Sequence, residues 1–420
     1  MVLVGQWDVS GVVFWTGSGV FFALALLAGR VRRLRYVAPV VPVVMLGLLA
    51  VLGEWEGARD FVNWLAGPER LLLLCSMALA GALIYYRCWT RPLFAGALFS
   101  VLAAAYFASA FDANFLRIIS KPDNVPITLM VFSVGFFLWV AFRRMAINDR
   151  RRERGEPPAE GHASDQVLVW PDLLYAELII MVLATVLLIL WAIFLRAPLE
   201  APADPATAPN PSKAPWYFAG LQELLVYFDP WIAGVLLPGL TIVGLCALPY
   251  LDRNPKGSGY YTLKERPLAI TVFLFGFIVL WVVPIVIGTF LRGPNWNFFG
   301  PFEYWDPHRP TGPTSVNLSE VFWTNRLGRA LPTRESAGSD YYPLIREAPG
   351  LIALGAYFLL TPALLRATVL RRLYGQMGGV RYAVMMLLLT CMGLVPIKML
   401  LRWLFNLKYI VGLTEWAFNV

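Results

Sequence analysis

The residues best suited to chemistry lie in one loop. Pro198, Pro202, Pro205, Pro209, Pro211 and Pro215 punctuate residues 198–215. Prolines fix φ and remove backbone donors, so the segment is stiff and not helical. Trp216, Tyr217 and Phe218 follow directly, then Gln222 and Glu223. The pattern predicts a short amphipathic helix over 216–225. Stiff backbone at a membrane edge can frame a pocket, and an aromatic wall with a phenol suits a planar apolar ring with polar edges. Ala214, Pro215, Trp216, Tyr217 and Phe218 are the candidate contacts. The plain alternative is an interfacial aromatic helix with no ligand and Glu223 on its solvated face.

A second set of polar residues, Asp172, Tyr175 and Glu177, opens another apolar run. An ionisable residue within a span is a functional candidate; here the readings are a proton path, or pairing with a neighbouring helix or an arginine at the membrane edge. The chain has two histidines, His162 and His308, and neither lies in an apolar run. A membrane b-type haem held by two histidines from facing helices therefore has no ligands in this chain. Cys75, Cys88, Cys246 and Cys391 are scattered, without CxxC or CxxCH, and read as small apolar packing residues rather than metal or c-haem ligands. No metal site is expected. No phosphate-binding glycine loop and no nucleophile–base pair is recognisable.

The elements that must position these residues are helices in a membrane. The chain is 58% hydrophobic and 15% charged, against roughly 45–50% and 25% for soluble domains. About ten runs reach the roughly 20 apolar residues that a crossing helix needs: 11–29, 37–53, 70–86, 93–110, 126–142, 173–195, 231–250, 268–291, 350–370 and 383–401. They do not alternate as barrel strands would. The expected fold is all-α and polytopic. Met1–Ser10 lacks a basic region and contains Asp8, so the first run reads as a retained helix rather than a signal peptide.

The net charge of +8 is not a nucleic-acid footprint, because of where it sits. Basic clusters follow every second run, at Arg30–Arg35, Arg87–Arg91, Arg143–Arg154, Arg253–Arg266 and Arg366–Arg381, while the intervening loops hold few cations. The positive-inside rule then puts both termini and the 214–218 loop on the outer face of a bacterial inner membrane. The arginine run after the fifth span can also touch anionic lipid.

Five parts follow from this pattern: a five-helix block over 1–143, an inside linker over 144–169, three helices over 170–292, a long outside loop over 293–349, and two helices with an interfacial tail over 350–420. Aromatic residues at the loop edges, such as Trp55 and Trp64, suit the membrane interface, as do Trp403, Phe405, Tyr409 and Trp416 in the tail. The aromatic, proline- and glycine-rich start of the long loop, Gly293–Pro301, suits docking.

Three ordered stretches resemble the C-terminal half of cytochrome b, or subunit IV. Trp170-Pro171-Asp172-Leu173-Leu174-Tyr175 is similar to the entry of that family's first helix. Ala214-Pro215-Trp216-Tyr217 aligns with its Pro-Glu-Trp-Tyr motif. Arg266-Pro267-Leu268-Ala269-Ile270 looks like the start of its third helix. The resemblance covers about 165–292. It implies a haem-free subunit of a quinol:cytochrome c reductase that forms part of an outer quinol-oxidation site and supports proton release outside. The implied partners are a haem-bearing cytochrome b N-terminal-like subunit, a Rieske-type iron–sulfur protein and c-type cytochromes, with haem b in the partner. Asp172, Tyr175 and Glu177 then fall near a second quinone site. His308 is the loop residue to test against an external redox partner. The family's glutamate, which takes a proton from the quinol, is replaced by Pro215, which cannot. The resemblance therefore implies another acceptor within hydrogen-bond reach, directly or through one water: Glu223 is the first choice, because a carboxylate taken half out of water is a stronger base, with Asp229 a second carboxylate and Tyr217 a hydrogen-bond partner. Related enzymes that use menaquinol vary this position, so menaquinol is favoured. Two rival readings remain: a secondary transporter or channel, and a scaffold that has kept the fold and lost the quinol site.

Overall fold

The computed structural model describes residues 56–162, 168–194, 202, 204–206, 208–310, 315–416 and 418–420. The expected spans at 11–29 and 37–53, and Trp55, lie outside the described residues. Within them the chain is helical, with one two-stranded hairpin. Among the described residues, seven helices are long and apolar enough to cross a membrane, and an eighth crossing arises if a bent pair counts as one. That pair is α1 (Glu56–Leu65) and α2 (Pro68–Ile84), which meet at 78° around Gly67. The others are α3 (Pro92–Ser109), α4 (Val125–Glu153), α5 (Val169–Phe194), α7 (Ile232–Leu251), α8 (Pro267–Leu291), α9 (Ala348–Ala367) and α10 (Gly379–Phe405). The short helix α6 (Trp216–Leu224) lies between α5 and α7.

Starts and stops follow local chemistry. Proline occupies the first turn of α2, α3, α4, α8 and α9, where its missing N–H removes no helical bond. Asp112 caps the short helix Ala113–Ile119 by accepting from Asn114 N and Phe115 N. The expected linker at 144 instead continues α4 to Glu153. Met145–Glu153 contains no helix breaker, and the first one, Gly155, takes a positive φ just beyond.

Interhelix packing is closest around α8. Val279, Val282, Val283, Ile285 and Ile287 are buried, against α2, α6 and α10. α5 is the opposite case: no side chain of its apolar window is buried.

The connecting loops sort into two ends. At one, α4 is tied to the α7–α8 loop. Asp149, 1% exposed, accepts from Tyr86 Oη at 2.8 Å and Thr262 Oγ1 at 2.5 Å, and from the backbone N–H groups of Leu263 and Lys264. Asn148 donates to Tyr261 O and Glu160, and accepts from Ala159 N. Arg150 and Arg151 donate to the Arg87 and Pro157 carbonyls, and Arg152 pairs with Glu265. The arginine run is therefore partly spent inside the protein. At the other end the aromatic loops meet: Asn63 accepts from Phe302 N, and Phe115 packs on Phe302.

The C-terminal tail also joins this end, but not as a flat interfacial segment. Arg402 and Trp403 still belong to α10, and Asn406 ends it in the left-handed conformation. Residues beyond fold back as a hairpin, β1 (Gly412–Leu413) against β2 (Phe418–Asn419), with Leu407, Ile410, Val411 and Leu413 buried. Arg346 holds it through Glu415 and Gly412 O, and Glu347 accepts from Gly412 N. Of the aromatics expected at the interface, Phe405 and Trp416 stay exposed, while Trp403 packs edge-on against Tyr227 at 5.4 Å.

Candidate functional site

α6 begins where Pro215 ends the stiff loop, and it lies against the last two turns of α8. Two glycines permit the contact. A Cβ at Gly288 would meet Ala219 O at 2.8 Å, and one at Gly220 would meet Ile285 Cγ1 at 3.0 Å. Gln222 ties the helix to its own loop, accepting from Ala214 N and donating to Ser212 O, each at 2.8 Å.

This seat puts Glu223 in the interior rather than half-exposed. Its residue is 0% exposed. Arg292, the first residue after α8, grips it with two nitrogens, Nε to Oε2 at 2.9 Å and Nη2 to Oε1 at 2.7 Å. Tyr227, one helical turn on, donates to Oε1 at 2.5 Å. The third arm of the guanidinium, Nη1, reaches Trp296 O at 2.9 Å. That carbonyl is aimed by a tight loop in which Asn295 and Trp296 both take positive φ, 57° and 56°. A tryptophan there is rare and costs conformational energy. The loop is held by a reciprocal pair, Asn210 Nδ2 to Asn295 Oδ1 at 2.9 Å and Asn295 N to Asn210 Oδ1 at 2.7 Å. The proline-rich loop and the long aromatic loop thus close over one buried ion pair. A charge pair this deep is tolerable because every arm is hydrogen-bonded.

Lys213 is the other titratable group at this seat. Its amine donates to Thr289 O at 2.7 Å and stands over the Trp305 ring at 4.7 Å. Burial pushes its pKa down to about 7; Lys121 adds to the shift, Glu223 opposes it and Arg292 adds again. The Thr289 hydroxyl beside it is buried and has no hydrogen-bond partner among the described residues.

The aromatic residues predicted to contact a ligand face outward. Trp216, Tyr217 and Phe218 are 37%, 50% and 49% exposed. Tyr217 lies 5.7 Å from the Trp216 ring and 4.7 Å from that of Phe218. They form one open wall; a cavity of about 370 Å³ lies elsewhere, between Asp60, Asn63, Arg70, Phe298, Glu303 and Arg309. Asp229, half-buried, accepts from Asn419 of the hairpin at 2.7 Å. Asp172, Tyr175 and Glu177 stand exposed on α5, away from this seat. His308 is exposed, its backbone N–H bonded to Asp306. Among the described residues no cluster of three or more histidines, cysteines or carboxylates is arranged to hold a metal ion.

Arg292, Tyr227 and Lys213 were not foreseen. Tyr227 was findable, since it sits four residues after Glu223 in a helical stretch. Arg292 carried the weaker signal of a lone cation ending an apolar run.

Residues 202–291 match the family model described as cytochrome b(C-terminal)/b6/petD. The match spans the stiff loop, α6, α7 and α8, and stops one residue before Arg292. No solved structure matches the chain. The match lies within the 165–292 stretch expected to resemble this family, taking in Ala214–Tyr217 and Arg266–Ile270 but not Trp170–Tyr175, and it points to a subunit of a cytochrome b/b6-type complex.

Proposed function

We propose that the chain is a haem-free membrane subunit of a respiratory quinol:cytochrome c reductase, contributing one wall of the outer quinol-oxidation site. The family match over 202–291 carries this reading. It falls on the segment whose aromatic wall is solvent-open and unclosed by other described parts of the chain. Such a wall suits half a pocket that another subunit completes. In this reading Trp216 and Phe218 flank the quinol ring and the Tyr217 hydroxyl bonds one of its oxygens. Each quinol gives up two electrons and two protons. The electrons pass to a Rieske-type iron–sulfur protein and to b haem in a cytochrome b N-terminal-like partner, and thence to c-type cytochromes. The protons leave on the outer face of a bacterial inner membrane. Menaquinol is the favoured substrate, because Pro215 stands where a glutamate would serve higher-potential quinols.

Two groups compete to receive a proton. Glu223 would do so only by loosening Arg292 or Tyr227, whose bonds occupy both its oxygens. Lys213 has a neutral form within reach near pH 7 and a half-buried position in the adjoining loop. Purification in mild detergent, followed by haem spectra and quinol:cytochrome c turnover, tests the reading. The expected preparation contains b- and c-type haem and is active. A lone, colourless chain overturns it.

The engagement of Glu223 favours one second reading, a scaffold subunit without a working quinol site. In that case the complex assembles, and Tyr217→Phe and Trp216→Ala leave turnover unchanged.

A further inference from the structure

Lys213 is a cation with no carboxylate of its own among the described residues. The charges around it are already matched. Arg292 grips Glu223 through both carboxylate oxygens, and Lys121 pairs with Asp123 at 3.4 Å. The Lys213 amine instead donates to Thr289 O at 2.7 Å and stands 4.7 Å from the centroid of the Trp305 ring. A carbonyl and a π-face offset part of the cost of taking a charge out of water, but neither neutralises it.

Two further donors lie at the same place. The Thr289 hydroxyl and the Trp305 indole Nε1 are both buried, and neither has a hydrogen-bond partner among the described residues. Thr289 as a whole is 5% exposed. A hydroxyl within a helix can settle on the carbonyl one turn back, and Thr185, Thr241 and Thr390 do so, on Met181, Leu237 and Met386. Thr289 does not. The last turn of α8, Ile287–Leu291, is wound as a π-helix, which carries that carbonyl out of line. The free hydroxyl belongs to the residue whose carbonyl already holds the amine, so the two donors are neighbours.

This donor set selects its ligand. A charged amine and an indole N–H donate and cannot accept. A water molecule needs acceptors for its own hydrogens, whereas an anion needs only donors and an unbalanced positive charge. We propose that Lys213, Thr289 and Trp305 form a binding site for a small monovalent anion of the halide class, where the proline-rich loop, the end of α8 and the long aromatic loop meet. The anion gives the amine a counter-charge and accepts from the Thr289 hydroxyl and the Trp305 N–H. Lys213 is only half-buried, which leaves a way in from solvent. Bound there, the anion ties both loops to α8 and offsets the cost of burying the ammonium. The amine must be charged to hold it, so binding weakens as pH rises through the Lys213 pKa of about 7. Lys121, Glu223 and Arg292 are the other charged groups that act on the amine. The inference stands apart from the quinol reading, because it needs no quinol and no second chain.

The test follows the melting temperature of the purified full chain in detergent while sodium chloride replaces sodium gluconate, whose anion is too bulky for buried donors, at constant ionic strength. At pH 6 the melting temperature should rise with chloride and saturate, as mass action at one site requires. The apparent Kd should be about tenfold weaker at pH 8 than at pH 6, following the charged fraction of a group that titrates near 7. Lys213→Met and Thr289→Val should each abolish the saturable rise. Lys213→Arg carries a charge that does not titrate in this range and should keep the rise at both pH values. No response to chloride, a response that does not saturate, or one that survives Lys213→Met or Thr289→Val overturns the proposal.

Discussion

Arg292 holds Glu223 with two parallel bonds of 2.9 and 2.7 Å, joining the end of α8 to the end of α6 where neither residue touches solvent appreciably. The pair lies at the junction of the two loops that frame the aromatic wall. Its removal should therefore be felt at that wall as well as in stability. Losing one partner leaves the other charge buried alone, which costs about 3–5 kcal/mol. Arg292→Met should lower the unfolding free energy by that order, and Glu223→Gln by less, because the amide still accepts from Tyr227. The double variant Glu223→Gln/Arg292→Met should be more stable than Arg292→Met alone. Thermal unfolding in detergent reads all three. Additive losses would mean that the two residues do not act as a pair.

A second consequence concerns the seat itself. At Gly288 the carbonyl of Ala219 occupies the space a methyl would need, at 2.8 Å, and backbone cannot swing aside as a side-chain tip can. Gly288→Ala should cost about 1–3 kcal/mol by overpacking and shift α6 away from α8. Increased labelling of a cysteine placed at Ala219, now buried, would report the shift. Gly239→Ala on α7, where a Cβ meets nothing within 4 Å, should do neither.

The sequence made the spans legible because lipid tolerates few patterns. The run read as 93–110 is Pro92–Ser109, and that read as 268–291 is Pro267–Leu291. Among the described loops, basic ones bond to one another: Arg150 reaches Arg87 O, Arg152 reaches Glu265, and Arg381 reaches Tyr250 O. What periodicity could not show was partnership across distance. Asp149 looked like one more polar residue in a linker, yet it organises atoms more than 100 positions away. Arg292 gave no sign that it would turn back to Glu223. The left-handed Asn295–Trp296 turn that aims a carbonyl at it had only the asparagine as a hint. The tail was misjudged for a similar reason: its aromatics suited an interface, but Ile410 and Val411 had a protein surface to cover.

The Asp149 cluster gives a third prediction. Asp149→Ala strands the hydroxyls of Tyr86 and Thr262 and the backbone N–H groups of Leu263 and Lys264. A buried polar group left unpaired costs about 1–3 kcal/mol, so the loss should be at least of that size. It should also free the loop between α7 and α8. Faster proteolysis near Lys256 and Lys264, with cleavage at the Arg326–Arg334 loop unchanged, would show the effect to be local.

Lys213 makes the site sensitive to pH, and the sign can be worked out. Its folded pKa is about 7 against an ordinary value of 10.5. Below about pH 7 the amine is charged in both states, and the folded chain bears the full cost of burying that charge. Between there and 10.5 the unfolded chain binds more protons than the folded one, so stability rises with pH. Above that range the cost is gone. Lys213→Met removes the titration. Its melting temperature should exceed that of the unaltered protein most at pH 6 and converge with it toward pH 10. The same residue separates the two proton acceptors of the quinol reading. If Lys213 receives the proton, turnover rises with pH through a step near 7, and Lys213→Met abolishes that step while Glu223→Gln leaves it in place. If Glu223 receives it, Glu223→Gln abolishes turnover and Lys213→Met leaves it in place. A step retained in both variants would place the acceptor on another chain.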